Sequence, residues 1–480
     1  MAEAKLTRRI LLLALVARII VFGAASQGVF LIGEGRTQSN LAENLLSGNG
    51  FMLSGSMLYP EREAEANPMF QKTFEFYRRV NAYYGGLRPD RPTTFLVPGY
   101  AVFMASIYAI FGSGNFLAVR GIQLFLGLFT VLIGMRIAGR FLSGKYLALA
   151  GIFMALDPFE LYYEAIPATQ ALFSLLFLIS VLLSLKLLEG SHSTGKMILI
   201  AAVTGLAWAC SFYVRPVSLP LMIWITLLLP FAPKIRQILS VRRKAEISTF
   251  KAEVFSLKGF SYGMVVLGVF MLLMLPWGLR NREICGSFRI MPTQGGVNLW
   301  EYNGRIFTEH FVNEVEGAKL LYGDIRREYI NKLNSPELAE FPEFRDESEW
   351  ERDRILFERN TAFMFRNPVL TLRLISLRFI EFFKPFPLNS FSVLYTLAGL
   401  LFFFWILFFV WGGAVRCCFS KGVGGFYIAT GVVGYALMHL LTASGTPHRV
   451  AIDYPMAILA MIGVQYSLER YQSWRATGNA

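Results

Sequence analysis

The sequence predicts an α-helical protein that crosses a membrane about ten times, and three observations support this fold class. Of the 480 residues, 54% are hydrophobic and only 16% are charged, whereas soluble domains carry roughly a quarter charged residues. Apolar runs long enough to cross about 30 Å of hydrocarbon recur along the chain. Basic residues gather in some of the connecting loops, which is typical of membrane proteins. The net charge of +13 is therefore attributed to orientation in the membrane, and no nucleic-acid partner is expected.

The loop at 232–259 gives the predicted orientation. It holds seven basic residues against two acids, and short loops rich in Lys and Arg stay on the cytoplasmic side. The basic residues before the first apolar run, in the 139–145 loop and in the tail agree with that assignment. Both termini are therefore predicted to be cytoplasmic.

This orientation fixes the number of crossings. The first apolar run is interpreted as a retained helix, because it lacks a small-x-small cleavage site and holds Arg18 in its middle. The run at 95–112 is predicted to lie on the outer face, since crossing there would place the basic 139–145 and 232–259 loops outside. The ten crossings are expected near residues 10–26, 117–138, 146–163, 168–186, 197–213, 217–232, 260–277, 393–413, 423–441 and 454–468.

Two long segments then lie on the outer face: a first long loop at 27–116 and a second long loop at 278–392. The second is predicted to be a small, mostly helical polar segment ending in an interfacial helix near 370–386. The chain thus divides into three parts. An N-terminal transmembrane module (1–277) contains the first long loop, the second long loop follows, and C-terminal transmembrane helices (393–480) complete the chain.

Ionisable residues occur at the predicted outer ends of the helices. The candidates are Glu34, Arg91, Asp157, Glu160, Glu164, Arg215, Arg280, His448, Arg449 and Asp453. Cations suit a phosphate and a carboxylate suits proton abstraction, so this set fits an anionic lipid-linked substrate. Simpler explanations stay open: a solvated loop acid at Glu34, a turn residue at Asp157 before Pro158, a helix start at Arg215 before Pro216, and headgroup contacts for the other cations. The four cysteines and four histidines show no metal-binding spacing.

Six stretches occur in the order of a known family and resemble it along nearly the whole chain. They are GEGRTQSNLAENLLSGNGF, VPGYAVFMASIYAIFG, MALDPFELYY, YVRPVSLPLM, PWGLRNREICGSF with TQGGVNLW, and HRVAIDYPMAILA. Together they look like the GT-C class of integral-membrane glycosyltransferases, and most like the bacterial protein O-mannosyltransferase and lipid A aminoarabinose transferase family. The resemblance implies a GT-C-like helical bundle. It also implies inverting transfer of a sugar from a polyprenyl-phosphate donor to an acceptor at the outer face of a bacterial-type cytoplasmic membrane.

The resemblance also implies a catalytic base. In that family a carboxylate, usually Asp, precedes by eight residues the Ala of a pattern like DSxxYxxLAxNLLxGxGF. Counting back from Ala42 reaches Glu34. Glu has one methylene more than Asp and a similar intrinsic pKa, so Glu34 is expected to accept the proton of the attacking acceptor group. Across the sugar, the donor phosphate is expected to meet His448 and Arg449 first, then Arg91 and Arg280.

One position departs from the family pattern. Relatives often carry a second acid at the start of the fourth helix, where this chain has Gln170. Glu164 or Asp157 are the candidates to supply that charge, and both join Glu34 as candidate catalytic residues. No carboxylate cluster is visible in the sequence, so no resident cofactor is expected; a divalent ion is left open and not favoured.

The expected partners are the lipid-linked sugar donor, membrane lipids, and a glycan, lipid or protein acceptor that the sequence does not specify. The apolar helices near 95–112 and 370–386 are either bulk lipid contacts or the walls of a groove for the polyprenyl chain. Two other functions remain open. One is an O-antigen-type polymerase or ligase. The other is a transporter of lipid-linked sugars, which should show mid-membrane charges and repeat symmetry. Arg18, Arg120 and His439 are the few candidates for such charges, and no paired half-repeat is evident.

Overall fold

The computed structural model of this chain describes residues 2–24, 34–54, 91–242, 254–303, 348–384, 393–442 and 446–477. Within those ranges the chain is almost entirely helical, with one short antiparallel strand pair. The helices are α1 Ala2–Ala24, α2 Glu34–Leu46, α3 Gly99–Phe111, α4 Phe116–Ala138, α5 Gly144–Leu156, α6 Pro158–Glu164, α7 Thr169–Glu189, α8 Thr194–Val214, α9 Leu219–Arg242, α10 Leu257–Cys285, α11 Gly295–Asn303, α12 Glu349–Arg366, α13 Pro368–Phe383, α14 Val393–Ser420, α15 Gly422–Leu441 and α16 Thr446–Thr477. The strands are β1 Met52–Leu53 and β2 Arg91–Pro92.

Eight of the described helices are long and apolar enough to cross a membrane: α4, α7, α8, α9, α10, α14, α15 and α16. Helix α1 has 23 residues, enough to reach about 34 Å at 1.5 Å per residue, and it carries several cations. The protein is therefore a multi-pass membrane protein. Consecutive crossings alternate in direction, and the end at which α4, α7, α9 and α16 begin is called the site end below.

The predicted crossing at 146–163 is not one helix, and that interpretation was wrong. It is divided into α5 and α6 at Asp157, whose ψ of 113° leaves the helical region. Asp157 is the N-cap of α6, and Pro158 occupies the first turn, where its missing N–H costs nothing. The break places α6 across the site end of the bundle.

Glycines let several helices approach backbone to backbone. A Cβ on Gly413 in α14 would collide with the Leu459 carbonyl of α16, and one on Gly205 in α8 would lie 2.5 Å from the Val266 carbonyl of α10. Small residues at such crossings permit the tight packing that drives helix association in membranes. These contacts fix the helix ends that carry the candidate residues.

The apolar run at 95–112 forms α3, which has 13 residues. At 1.5 Å per residue it reaches only about 20 Å, less than the hydrocarbon thickness of about 30 Å. It packs against α2, α4 and α8. At Gly99 its backbone meets the end of α8, because a Cβ there would lie 2.5 Å from the Tyr213 carbonyl. Helix α3 therefore joins the first long loop to the site end.

The described part of the second long loop contains α11, α12 and α13. Helices α11 and α12 pack closely, since a Cβ on Gly296 would collide with the Asp353 carbonyl. The predicted interfacial helix near 370–386 is α13, and its Val369, Leu372 and Ile380 side chains are exposed. Residues 304–347 of the predicted polar segment lie outside the described residues.

Candidate active site

Helix α2 carries the predicted base at its first position. It begins at Glu34, whose side chain lies outside what the structure describes. The helix is held on one face by burial of Leu41 and Ala42, both without exposed surface. Ser39 Oγ also lies 3.0 Å from the Tyr108 hydroxyl of α3. These buried side chains and the Ser39–Tyr108 contact fix the position of α2 against α3.

Two asparagines tie α2 to strand β1. Asn40 Oδ1 accepts a hydrogen bond from the Ser54 N–H at 2.9 Å. Asn44 Nδ2 donates to the Met52 carbonyl at 2.9 Å and to Asn40 Oδ1 at 3.2 Å. Both amide groups lie in buried residues, where unmet polar groups are costly. The spacing of four places them on one helix face, so α2 and β1 form one unit.

The acids of α6 face the protein interior. Asp157 Oδ1 accepts from the N–H groups of Phe159 at 2.9 Å and Glu160 at 3.4 Å, the usual work of an N-cap. Glu164 forms an ion pair with Arg18 of α1 at 2.7 Å, and both side chains are almost fully buried. The structure therefore places Asp157 and Glu164, two of the predicted catalytic residues, in internal contacts.

Helix α4 holds the other end of α6. Arg120 Nε donates to the Ala165 carbonyl at 2.6 Å. Gln123 Nε2 donates to the carbonyls of Glu164 at 3.1 Å and Ile166 at 2.7 Å. These side chains satisfy carbonyls that a helix end leaves without partners. A Cβ on Gly127 of α4 would collide with the Glu164 carboxylate, so α6 lies directly on α4.

Arg449, predicted to bind the donor phosphate, is fully buried. Its Nε donates to Asp453 at 2.9 Å, and its Nη1 donates to the carbonyls of Phe382 at 3.1 Å and Lys384 at 2.7 Å. The guanidinium carbon also lies 3.7 Å from the centroid of the Phe403 ring. Arg449 therefore fastens the end of α13 to α16.

His448 points in a different direction from its neighbour, because consecutive helical residues are about 100° apart. Its Nδ1 lies 3.4 Å from Arg215 Nη2. Arg215 Nη1 donates to the Pro447 carbonyl at 2.9 Å, and the His439 ring lies 4.8 Å from the His448 ring between centroids. Nδ1 can accept from a guanidinium only when it carries no proton, so this contact requires the tautomer with the proton on Nε2. His448 and Arg215 are only half-buried, which leaves basic surface at the site end.

Arg215 was proposed from sequence mainly as a helix start, and that interpretation is confirmed in part. Pro216 opens a short 3-10 turn, Pro216–Ser218, directly before α9. The structure adds the contact with His448, which lies 233 residues away. No local pattern in the sequence could predict this pairing.

The remaining candidates lie on the first long loop and beside it. Arg280 donates from Nη1 to the Thr93 carbonyl and from Nη2 to the Phe51 carbonyl, both at 2.9 Å. Arg91 lies on β2 opposite Leu53 and is exposed. Gln170, at the family's second acidic position, is buried near the start of α7. Arg280 thus binds backbone while Arg91 faces outward.

Sequence reasoning missed several residues that build the site end. Arg18 was noted only as a charge inside an apolar run. A charge in that position indicates a buried partner, which the structure shows to be Glu164. Gln123, which holds the end of α6, and Glu349, described below, gave no local signal. Across the described ranges, no group of three or more His, Cys, Asp or Glu side chains is arranged to hold a metal ion.

Comparison with known proteins gives matches among solved structures only. No protein-family model matches the chain, and no curated protein matches it significantly. The archaeal oligosaccharyltransferase AglB from Archaeoglobus fulgidus, in complex with an inhibitory peptide and a dolichol-phosphate, superposes with a TM-score of 0.53 at 10% identity. That match covers 100% of this chain and 52% of AglB. This chain therefore spans about half the length of that enzyme.

Two further structures match. The Archaeoglobus fulgidus oligosaccharyltransferase complex with Zn and sulfate gives a TM-score of 0.51 at 11% identity, covering 97% of this chain and 49% of that one. ArnT from Cupriavidus metallidurans, bound to undecaprenyl phosphate, gives 0.39 at 11% identity over 94% of this chain and 77% of ArnT. At such identities the oligosaccharyltransferase matches establish the architecture, and they confirm the predicted fold. This chain has the fold of the GT-C integral-membrane glycosyltransferases.

Proposed function

We propose that this protein transfers a sugar from a polyprenyl-phosphate donor to an acceptor at the outer face of a bacterial-type cytoplasmic membrane. The observation that carries the proposal is a GT-C fold along the full chain with basic surface from Arg215 and His448 at the site end. The solved AglB complex, with which the chain shares this fold, contains a dolichol-phosphate and a peptide. A lipid phosphate and an acceptor are the two ligands that such a reaction needs.

Glu34 is the proposed base. As the acceptor hydroxyl or amine attacks the anomeric carbon, the Glu34 carboxylate takes its proton. The bond from that carbon to the phosphate oxygen breaks, and polyprenyl phosphate leaves from the opposite face with inversion of configuration. Because α2 begins at Glu34 and is tied to β1 and α3, the backbone that carries the base is held in place, as efficient proton transfer requires.

The donor phosphate is proposed to bind Arg215 and His448, with the exposed Arg91 as a further cation. The Nε2–H of His448 and the guanidinium of Arg215 are donors suited to a phosphate oxygen. Arg215 follows the end of α8, and His448 lies at the beginning of α16. Helix α3 links this region to α2 through the packing of Gly99 on Tyr213.

The other predicted site residues are given positioning roles. Glu164 and Asp157 fix α6 through Arg18 and through the α6 backbone. Arg449 fixes the end of α13. Each side chain is almost fully buried, so each supports the walls of the site without touching the sugar. No resident cofactor is assigned in this proposal.

Transfer in detergent tests the proposal against its alternatives. The purified protein is incubated with radiolabelled polyprenyl-phosphate sugars and a cell-envelope extract as acceptor. The expected result is labelled acceptor together with free polyprenyl phosphate. A transporter would move the lipid only across a sealed membrane, and a polymerase or ligase would transfer preassembled glycan. Both alternatives predict that no sugar is transferred from the monophosphate donor in detergent, and that result contradicts the proposal.

A further inference from the structure

Two oppositely charged side chains bind the two ends of a single peptide unit in the first long loop. The Thr93 carbonyl and the Thr94 N–H belong to the same peptide bond. Arg280 Nη1 donates to that carbonyl at 2.9 Å, and Glu349 Oε2 accepts from that N–H at 2.7 Å. Arg280 is in α10 and Glu349 is the first residue of α12. Three distant parts of the chain therefore meet at one peptide.

Glu349 uses both carboxylate oxygens there. Oε1 accepts from the Thr93 hydroxyl at 2.9 Å, and Oε2 accepts from the Thr94 hydroxyl at 3.0 Å as well as from the Thr94 N–H. The Thr94 carbonyl accepts from the Thr293 N–H at 2.9 Å. Thr93, Thr94 and Thr293 are buried, and charge-assisted hydrogen bonds of this kind are about twice as strong as neutral ones. The contact is specific and not an incidental surface pair.

Arg280 extends the contact to strand β1. Its Nη2 donates to the Phe51 carbonyl at 2.9 Å, while its guanidinium carbon lies 4.7 Å from the centroid of the Trp277 ring. Phe51 precedes β1, and Thr93 follows β2. The two donors of one planar guanidinium thus hold both sides of the strand pair in a fixed geometry, which the compact ammonium of a lysine does not reproduce.

The contacts continue to the helix that carries Glu34. Strand β1 is bonded through the Met52 carbonyl to Asn44 of α2, and the Ser54 N–H bonds to Asn40. Glu349 is therefore connected to α2 through its bond to Thr93, the bond from the Thr93 N–H to the Phe51 carbonyl, and the bond from Asn44 to the adjacent Met52. Each of these bonds is directional and involves backbone or a buried amide. Loss of the Glu349 contact is therefore expected to weaken the bonds that follow it.

We propose that Glu349 and Arg280 are positioning residues that dock the second long loop onto the first and thereby hold α2, with Glu34, in its working position. This inference rests on the proposed function for its effect on transfer, although the docking contact itself does not. The charges suit their places, since the cation meets the negative end of the peptide dipole and the anion meets the positive end. The inference also separates Arg280 from the cations that contact the donor.

Hydrogen exchange and transfer kinetics together test the inference. In Glu349→Gln and Arg280→Lys, amide exchange in the 91–97 peptide should rise at least about tenfold, and kcat should fall about tenfold because the base is less well placed. The KM for the donor should stay within about twofold of wild type, since neither residue contacts it. Glu351→Gln, two residues further along α12 and paired only with Arg354 in the described contacts, and the exposed Arg282→Lys are the controls.

The two readouts separate failure of the inference from failure of the proposed function. Unchanged exchange in Glu349→Gln overturns the docking contact, whatever the activity. Faster exchange with an unchanged kcat, or a raised donor KM in Arg280→Lys, overturns the positioning role. If Glu349→Gln does not fold, Thr94→Val removes the bond from the Thr94 hydroxyl to Glu349, and unchanged exchange in that variant overturns the docking contact in the same way. Failure of the proposed function shows instead as an absence of sugar transfer in the wild type, while the exchange result still stands.

Discussion

Arg18 of α1 and Glu164 of α6 form an ion pair of 2.7 Å in which neither side chain exposes more than 3% of its surface. The partners are 146 residues apart in sequence. The pair holds the first helix of the chain against the short helix that crosses the site end. A buried ion pair stabilises little compared with apolar packing, but a charge left alone there is costly.

Removing one partner of this pair should therefore destabilise the protein more than removing both. Arg18→Met leaves the Glu164 carboxylate buried without its cation, so the expected loss is about 3–5 kcal/mol. The double substitution Arg18→Met with Glu164→Leu should recover much of it. Thermal unfolding in detergent measures both. A single variant as stable as wild type would show that the pair is not buried as described.

Donor binding should depend on Arg215 and His448. Replacing either by Ala removes a donor for the phosphate, and charge-assisted hydrogen bonds contribute about 1.5–3 kcal/mol, which corresponds to roughly tenfold or more in affinity. Binding of polyprenyl phosphate to the purified protein, measured in detergent, is the readout. His192→Ala is the matched control, because that exposed histidine lies at the opposite end of the bundle. Equal affinity in all variants would remove these residues from the proposed site.

The packing of α11 on α12 should weaken as pH rises. Burial raises the pKa of Asp353 to about 6, although the Gly296 N–H and nearby Arg289 act to lower it. The folded protein therefore binds this proton more tightly than the unfolded chain does. The contribution of the protonated Asp353 to folding stability is complete below about pH 4 and is lost as pH rises through 6.

Asp353→Asn should abolish that dependence, because Asn keeps an oxygen for the Gly296 N–H and carries no titrating charge. A shift of about two units corresponds to roughly 3 kcal/mol. Hydrogen exchange of the 295–303 and 349–366 peptides between pH 5 and 7.5, corrected for intrinsic exchange rates, measures the change. The same pH dependence in wild type and Asn variant would contradict the assignment.

Chelation should leave sugar transfer unchanged. The acids best placed near the site are already engaged: Glu164 with Arg18, Asp453 with Arg449, and Glu349 with the Thr93–Thr94 peptide. An ion at Glu164 or Asp453 would lie beside the arginine that already neutralises that carboxylate, and an ion at Glu349 would have to displace the Thr93 and Thr94 donors. Transfer measured after EDTA treatment, with Mg²⁺, Mn²⁺ and Zn²⁺ added back separately, provides the check. Activity lost with EDTA and restored by one of these ions would contradict this expectation.

The sequence predicted the helices and their order well because hydropathy reports burial in lipid directly. The crossing at 146–163 was predicted as one helix, although Asp157 before Pro158 was also interpreted as a turn residue, which agrees with the break there. The sequence did not predict that α6 is a separate helix, because that depends on contacts with Arg18 and Gln123 from other helices. Local sequence patterns predict the helices, whereas the direction of a short connecting helix depends on residues that are distant in sequence.

The candidate site was predicted less completely, for a related reason. The sequence proposed Arg449 as a phosphate ligand because cations from the outer loops were expected across the sugar from the base. The four-residue spacing indicates that Arg449 and Asp453 can pair on one helix face. The carbonyls of Phe382 and Lys384, which also bind Arg449, lie at the end of another helix. Likewise, Glu349 looks like an ordinary acid in the first turn of a helix until Thr94 is placed beside it. Which cations face a ligand is decided by tertiary packing.

The turnover of Glu34→Gln tests the central claim most directly. Gln has the same size and cannot accept the proton, so loss of a general base should lower kcat by about 10²–10⁴ while donor binding stays near the wild-type value. Glu43→Gln, which changes the other acid of α2, serves as the control and should keep full turnover. A Glu34→Gln enzyme that transfers sugar within a few-fold of the wild-type rate would contradict the account.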